Sequence, residues 1–291
     1  MDIFAAYIVP VLVGIGIGIL SGMLGIGGGT VLVPVFRLAF DMSAIMSTAT
    51  SLFTIIPTSI SGAVSHIRAK TCIVSLGLAA GIGGAFISPI GVWLATVSPS
   101  WAIMAAAAII IGYSAVSMLR KAIRMKPEKA PASAYTSVSP DATLSTVGNE
   151  FSAKQSANID SGSVKLTRKQ LAIGAGIGLI AGLASGYVGV GGGFIMVPLM
   201  LSIIGIPMKK ASGTSLIAVM ILAVPGVIEQ GILGNIDYMA GIMVAIGSIP
   251  GAVIGAKLVR KVPERILRFI FGGFLIVAAI LLVLNETGVI A

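Results

Sequence analysis

Two segments, "GMLGIGGGTVLVP" at residues 22–34 and "GYVGVGGGFIMVP" at residues 186–198, interrupt apolar runs with three consecutive glycines. Glycine has no Cβ, so it lets a backbone leave helical geometry and approach a ligand closely. The segments therefore predict two broken helices. A restart near Val31 would place Pro34 in the first helical turn, where its missing N–H needs no intrahelical partner, and Pro198 would follow the same rule.

The composition around these segments is that of a membrane protein. Of the 291 residues, 56% are hydrophobic and 10% are charged, whereas about 25% are charged in a typical soluble domain. Long apolar runs, each near the roughly 20 residues that cross a bilayer, occupy residues 3–20, 102–119, 238–256 and 266–284. The sequence predicts an all-α polytopic membrane protein that contacts the lipid bilayer.

Charge and cysteine usage exclude several other classes of protein. The formal charge is +9, but the Lys and Arg residues lie in short clusters between apolar runs, where they set membrane orientation, so we do not expect nucleic-acid binding. Cys72 is the single cysteine, which excludes an intrachain disulfide and a cysteine-rich metal site. We predict no cofactor and no metal. The first residues, "MDIFAAYIVP", lack a basic n-region, so we interpret this segment as a retained helix.

The two halves of the chain are copies of one another. Residues 14–99 align without a gap with residues 178–263, and the identities are mostly glycines and prolines in one register. We define the counterpart of a residue by this alignment. An internal repeat of this kind predicts membrane repeats at residues 1–120 and 171–291. Between them, residues 121–170 are rich in Ser, Ala, Thr and Pro, which predicts a flexible loop, with a regulatory docking segment as the alternative.

Positive charge predicts the orientation of each repeat. The loop at 121–170 and the Lys and Arg cluster at 257–268 should be cytoplasmic, whereas the first repeat is basic at "HIRAK", residues 66–70. These positions require about five membrane segments in each repeat, with reversed sidedness. We therefore predict two inverted-topology repeats in the cell (inner) membrane, with both termini outside.

Inverted repeats would bring the two restarting helices together, amino end to amino end. Each end carries about half a positive charge and free N–H donors, which makes an anion site without a buried Lys or Arg. The predicted substrate-binding residues of the first repeat are Gly27, Gly28, Gly29, Thr30, Thr50 and Ser51. Those of the second repeat are Gly191, Gly192, Gly193, Phe194, Thr214 and Ser215. The hydroxyl-bearing residues among them could instead bond carbonyl groups of their own helices.

Further residues receive other interpretations. His66, Glu229 and Gln230 are candidates for proton coupling, because intramembrane titratable groups are commonly functional. For the glycines outside the two triple motifs we predict close helix packing. This second set comprises Gly14, Gly16, Gly18, Gly77, Gly83 and Gly84.

The duplicated "GxGGG…P" segments and the two-half layout resemble the sulfite exporter TauE/SafE family, also called the TSUP transporters. The resemblance covers most of the chain outside residues 121–170. It implies transport, not catalysis, of sulfite, an organosulfonate or a related small anion. Phe194 replaces Thr30 in the second motif, which predicts two inequivalent half-sites.

Two alternatives stay open at this point. A cation-coupled carrier could use unwound carbonyl groups, and an intramembrane hydrolase could pair Ser212 or Ser215 with His66. The sequence leaves open which anion is carried, in which direction and with which coupling ion, and it does not define the oligomeric state.

Overall fold

The computed structural model describes residues 3–124 and 167–286, and these residues form helices joined by short turns, with no strand among them. Most of the predicted 121–170 loop lies outside the described residues. In the first half the helices are α1 (Ile3–Leu24), α2 (Gly29–Ala39), α3 (Ala44–Arg68), α4 (Val74–Val97) and α5 (Ser100–Arg124). In the second half they are α6 (Arg168–Val188), α7 (Gly193–Leu199), α8 (Met208–Ile232), α9 (Tyr238–Leu258) and α10 (Glu264–Glu286).

Six of these helices, α3, α4, α5, α6, α8 and α9, are long and apolar enough to cross a membrane. The all-α, multi-pass architecture predicted from composition is confirmed. In contrast, α2 has 11 residues and α7 has 7, continued by a π-helix at Met200–Ile204. At about 1.5 Å per residue, α2 spans only about 16 Å, roughly half of a hydrocarbon core.

Both short helices begin directly at the last glycine of their motifs, Gly29 and Gly193. The prediction that Pro34 falls in the first turn is wrong, because the helix starts two residues earlier than expected and the proline enters the second turn. Pro34 therefore has no N–H to donate to the carbonyl oxygen of Thr30. Pro198 stands in the same position of α7.

Helices from different halves pack through small residues. α1 lies along α9. A Cβ added to any of three α1 glycines would meet the α9 backbone, Gly14 at Val244, Gly18 at Ser248 and Gly22 at Ala252. Their counterparts behave alike, since Gly178 faces Ala80 and Gly182 faces Gly84, so α6 lies along α4. The packing role predicted for glycines is confirmed at Gly14, Gly18, Gly77, Gly83 and Gly84. It is wrong for Gly16, which has open space beside it.

The order of these contacts gives the directions of the helices. Along α3 and α8 the order reverses: Gly62 lies beside Leu216, whereas Gly226 lies beside Leu52. α3 therefore runs antiparallel to its own counterpart. α1 and α9 run parallel to α3, and α4 and α6 run parallel to α8, because their contacts advance in the same order. Counterpart helices thus run in opposite directions, as inverted repeats require.

Candidate functional site

The two glycine motifs meet where the halves cross. A Cβ on Gly29 would collide with the carbonyl group of Val190, and a Cβ on Gly193 would collide with the carbonyl groups of Gly25 and Ile26. Each helix start therefore touches the glycine loop of the other half. The predicted meeting of the two helix amino ends is present, and only glycine fits at this distance.

Within each loop the backbone adopts left-handed conformations at the same positions. The φ angles are 77° at Gly27 and 89° at Gly28, and 80° at Gly191 and 67° at Gly192. A backbone in which right- and left-handed residues alternate can form a concave anion-binding surface with its N–H groups. In the first loop Ile26, whose φ is not positive, lies between Gly25 and Gly27, whose φ angles are 75° and 77°. The sequence pattern thus specifies the same backbone geometry twice.

Backbone donors in the first loop have no acceptor within the described chain. None of the N–H groups of residues 26–30 makes a hydrogen bond there, although all five residues are buried. The second loop differs at one donor: the N–H of Gly193 donates to the carbonyl oxygen of Gly191 at 2.8 Å, whereas the N–H groups of residues 190–192 and of Phe194 make no hydrogen bond among the described residues. Buried, unpaired N–H groups are rare in proteins, so a run of five beside a helix start calls for an acceptor.

Hydroxyl groups without partners surround the same loop. The side chains of Ser21, Thr30 and Ser59 are fully buried, and their oxygen atoms have no hydrogen-bond partner within the described residues. The Ser59 Oγ atom would lie 3.3 Å from a Cβ on Gly27, and the Ser21 Cβ atom would lie 3.7 Å from a Cβ on Gly28. The first half-site therefore combines unused backbone donors with unused hydroxyls.

The second half-site is less polar. The counterparts of Thr30 and Ser59 are Phe194 and Ala223, both fully buried, while the counterpart of Ser21 is Ser185, whose hydroxyl also lacks a partner. This inequivalence is the one predicted from Phe194. Ser21 and Ser59 were missed by the sequence analysis, because a serine in an apolar helix commonly bonds a carbonyl group of its own helix.

Two apolar side chains occupy the space where the two glycine loops meet in this structure. Ile55 of α3 and its counterpart Val219 of α8 are both fully buried. Ile55 Cδ1 would lie 2.7 Å from a Cβ on Gly29 and 2.9 Å from one on Gly191, and Val219 Cγ1 would lie 2.7 Å from one on Gly27. These two side chains therefore fill the space between the loops.

The four hydroxyl candidates of α3 and α8 divide into two groups. Ser215 Oγ donates to the carbonyl oxygen of Gly25 at 2.7 Å, so it contacts the first loop directly, and the hydroxyl of its counterpart Ser51 is buried without a partner. Thr50 Oγ1 accepts the N–H of Asp237 at 3.0 Å, and Thr214 Oγ1 accepts the N–H of Ile73 at 2.9 Å. Thr50 of α3 thus contacts the start of α9, and Thr214 of α8 contacts the start of α4. Each threonine therefore links its own helix to a helix of the other half.

Of the three coupling candidates, His66 contacts the last turn of α1, just before the first glycine loop. His66 Nε2 is 2.8 Å from the carbonyl oxygen of Gly22, and Nδ1 is 2.8 Å from Thr71 Oγ1. Because a carbonyl oxygen only accepts, Nε2 carries a proton, and a neutral ring satisfies both contacts. Gln230 accepts from Asn235 Nδ2 at 2.7 Å in the counterpart position. Glu229, the preceding residue in α8, is half-buried, and its Oε2 atom is buried without a hydrogen-bond partner among the described residues.

The alternative hydrolase arrangement lacks its hydrogen bond. Ser212 Oγ donates to the carbonyl oxygen of Met208 at 2.9 Å, and Ser215 Oγ lies within reach of the carbonyl groups of Gly25 and Ser212. Both His66 nitrogen atoms are occupied by other groups. A nucleophile needs its base within hydrogen-bond distance, and neither serine is hydrogen-bonded to this histidine.

Comparison with known proteins decides the family. The model of the sulfite exporter TauE/SafE family matches residues 10–282. The chain belongs to the sulfite exporter TauE/SafE family. This is a family of membrane transporters, and the match spans both repeats and both glycine motifs.

Relatives with similar lengths carry transporter names. The chain is similar to the probable membrane transporter protein YunE of Bacillus subtilis, at 25% identity over 89% of this chain and 91% of YunE. It is similar to the probable membrane transporter protein YdhB of the same organism, at 28% identity over 87% and 90% of the two chains. A probable membrane transporter protein of Methanocaldococcus jannaschii is 24% identical over 94% of each chain. No solved structure matches the chain significantly.

Proposed function

We propose that this TauE/SafE-family protein is a secondary transporter of a small sulfur-containing anion, sulfite or an organosulfonate. The observation that carries the proposal is the run of unpaired N–H groups at residues 26–30, beside the unpaired hydroxyls of Ser21, Thr30 and Ser59. Oxygen atoms of a sulfite or sulfonate group accept hydrogen bonds from both kinds of donor, and the positive end of α2 favours negative charge.

The buried polar side chains favour an anion over a cation. In residues 3–124 and 167–286 the side chains that are buried as a whole are Ser, Thr, His66 and Gln230. The half-buried Glu229, near the end of α8, adds one buried carboxylate oxygen, Oε2, without a partner among these residues. Cation carriers commonly place acidic groups in their spans. The site would thus bind its anion through neutral donors, and the weak net attraction of such donors permits release on the other side.

The two halves supply a route for alternating access. Counterpart helices run in opposite directions, so exchanging the conformations of the two halves would turn a site that is open to one side into a site open to the other. Ile55 and Val219 would separate from the loops to admit the anion. The inequivalent half-sites fit an asymmetric substrate, with the oxyanion group at the first loop and the remainder against Phe194 and Ala223.

A proteoliposome experiment tests this proposal. Purified protein is reconstituted, and uptake of labelled sulfite, sulfate, thiosulfate and short sulfonates is measured with and without a pH gradient. We expect saturable uptake of sulfite or a sulfonate, with competition among the accepted anions. Uptake of sodium or another cation with no uptake of any sulfur-containing anion would contradict the proposal.

A further inference from the structure

A groove between α3 and α9 lies apart from the glycine loops and has no part in the transport proposal. It has a volume of about 660 Å³. Its apolar wall is formed mainly by Pro57, Ile60, Val64, Ile249 and Val253. The groove runs between two membrane helices, so in a bilayer lipid chains reach its apolar wall.

Three cations line one end of the groove. They are Arg68 at the end of α3, Lys257 near the end of α9, and Arg260 in the turn after α9, and all three side chains are exposed. No acidic residue lines the groove. The two helices run parallel, so this end of the groove lies at one membrane surface.

The repeat provides an internal comparison. The counterparts of the three cations are Ile232, Trp93 and Thr96, which lie at the opposite ends of the molecule because the counterpart helices are reversed. Ile232 and Trp93 are exposed and uncharged. The counterpart helix pair, α8 and α4, therefore lacks these cations.

We propose that this groove binds an anionic phospholipid, with the phosphate group at Arg68, Lys257 and Arg260 and an acyl chain along the apolar wall. Charge complementarity selects an anionic headgroup, since basic residues near a membrane surface each contribute to binding acidic lipids. The apolar wall adds an interaction that a free phosphate ion does not need, because each buried methylene group contributes to lipid binding. The ligand is therefore a lipid.

Native mass spectrometry of the full-length protein in a neutral detergent tests this site. The probes are dioleoylphosphatidylglycerol and dioleoylphosphatidylcholine, and we expect the wild type to retain the anionic lipid preferentially. Replacing two cations, Lys257→Gln with Arg260→Gln, should reduce the affinity for phosphatidylglycerol about 30-fold, which corresponds to about 1 kcal/mol per basic residue.

Two further variants distinguish lipid binding in the groove from non-specific attraction to the positive surface. The pair Lys70→Gln with Lys261→Gln removes the same charge from exposed positions at the same end of the molecule but outside the groove lining, and it should retain wild-type binding. Val253→Trp fills the apolar wall without changing charge and should also lower lipid binding. Equal losses in the two charge variants, unchanged binding in Val253→Trp, or displacement of the lipid by millimolar inorganic phosphate would overturn the proposal.

Discussion

At the scale of single residues, the candidate site is defined by donors that have no acceptor. The glycines of the two motifs could be identified from sequence, since three consecutive glycines followed by a proline in duplicate require a broken backbone. Ser21 and Ser59 could not be identified, because whether a helical serine bonds its own carbonyl group or points into a loop depends on the packing of neighbouring helices.

Ser59→Ala tests whether these hydroxyls bind the anion. The hydroxyl lies next to Gly27 without a partner among the described residues, so its removal should weaken binding by about 1.5–3 kcal/mol, the range for a hydrogen bond to a charged group. Affinity is measured by calorimetric titration of the purified protein. The control is Ser88→Ala, which also removes a buried, unpartnered hydroxyl, but beside Gly226. Equal affinities of wild type and Ser59→Ala would exclude this contact.

Thr214→Val separates a packing role from a binding role at a predicted site residue. Its hydroxyl accepts the N–H of Ile73 from the other half, so the variant should unfold more easily by about 1–3 kcal/mol. Thr48→Val is the control, because the Thr48 hydroxyl bonds only the carbonyl oxygen of Ile45 in its own helix. Unfolding is followed by thermal denaturation. Full stability with lost anion binding would instead place the Thr214 hydroxyl in the substrate site.

At the scale of elements, the short helices α2 and α7 hold the halves together at their starts. Their existence and approximate length followed from the sequence, but their exact starts did not. The helix begins at Gly29 because the left-handed conformation of Gly28 completes the break earlier than the proline suggested. The threonine contacts at the starts of α4 and α9 were also unforeseen, since they join residues far apart in sequence.

Gly193→Ala tests the close approach of these elements. An added Cβ would lie 2.5 Å from the carbonyl oxygen of Gly25 and 2.8 Å from that of Ile26. Backbone atoms cannot yield as flexible side chains do, so we expect a loss of stability of about 1–3 kcal/mol. Gly176→Ala, a change in α6 with nothing within 4 Å, should not lose stability. The measurement is the thermal unfolding midpoint of each variant. Equal midpoints for Gly193→Ala and Gly176→Ala would show that the halves are not in contact at Gly193.

At the scale of the whole molecule, the order of contacts along the helices determines which basic segments lie at the same end. Contacts along α3 and α8 reverse in order, while the basic "HIRAK" segment and the 257–268 cluster follow parallel helices α3 and α9 and so lie at the same end. The repeat could be read from the sequence because its glycine and proline positions recur in one register, and the charge positions predicted that counterpart helices run in opposite directions. The sidedness of the two repeats in a membrane stays a prediction. The closure by Ile55 and Val219 was not, because apolar residues in membrane helices look alike in sequence.

Cys72 reports which end faces the cytoplasm. The thiol lies in the turn after α3, and burial raises its pKa above the usual value. A membrane-impermeant maleimide should label it from the cytoplasmic face of inverted vesicles. Because the thiolate reacts, labelling should be slow at neutral pH and accelerate as the pH rises toward the raised pKa. In a Cys72→Ser background, Leu233→Cys, at the exposed end of α8, should be labelled only from the opposite face. The reverse pattern would invert the assigned orientation.

The most direct test of the central claim, that backbone N–H groups at the start of α2 hold the anion, is binding of labelled sulfite and short sulfonates to purified Gly28→Val. Valine at Gly28 has to adopt a φ of 89°, a conformation that β-branched residues disfavour, and it would crowd Ile17. The matched control is Gly16→Val, a change on α1 with open space beside it. We predict saturable binding to wild type and Gly16→Val and none to Gly28→Val, with all three proteins monodisperse. Normal binding by Gly28→Val, together with loss of binding in His66→Gln, would contradict the account.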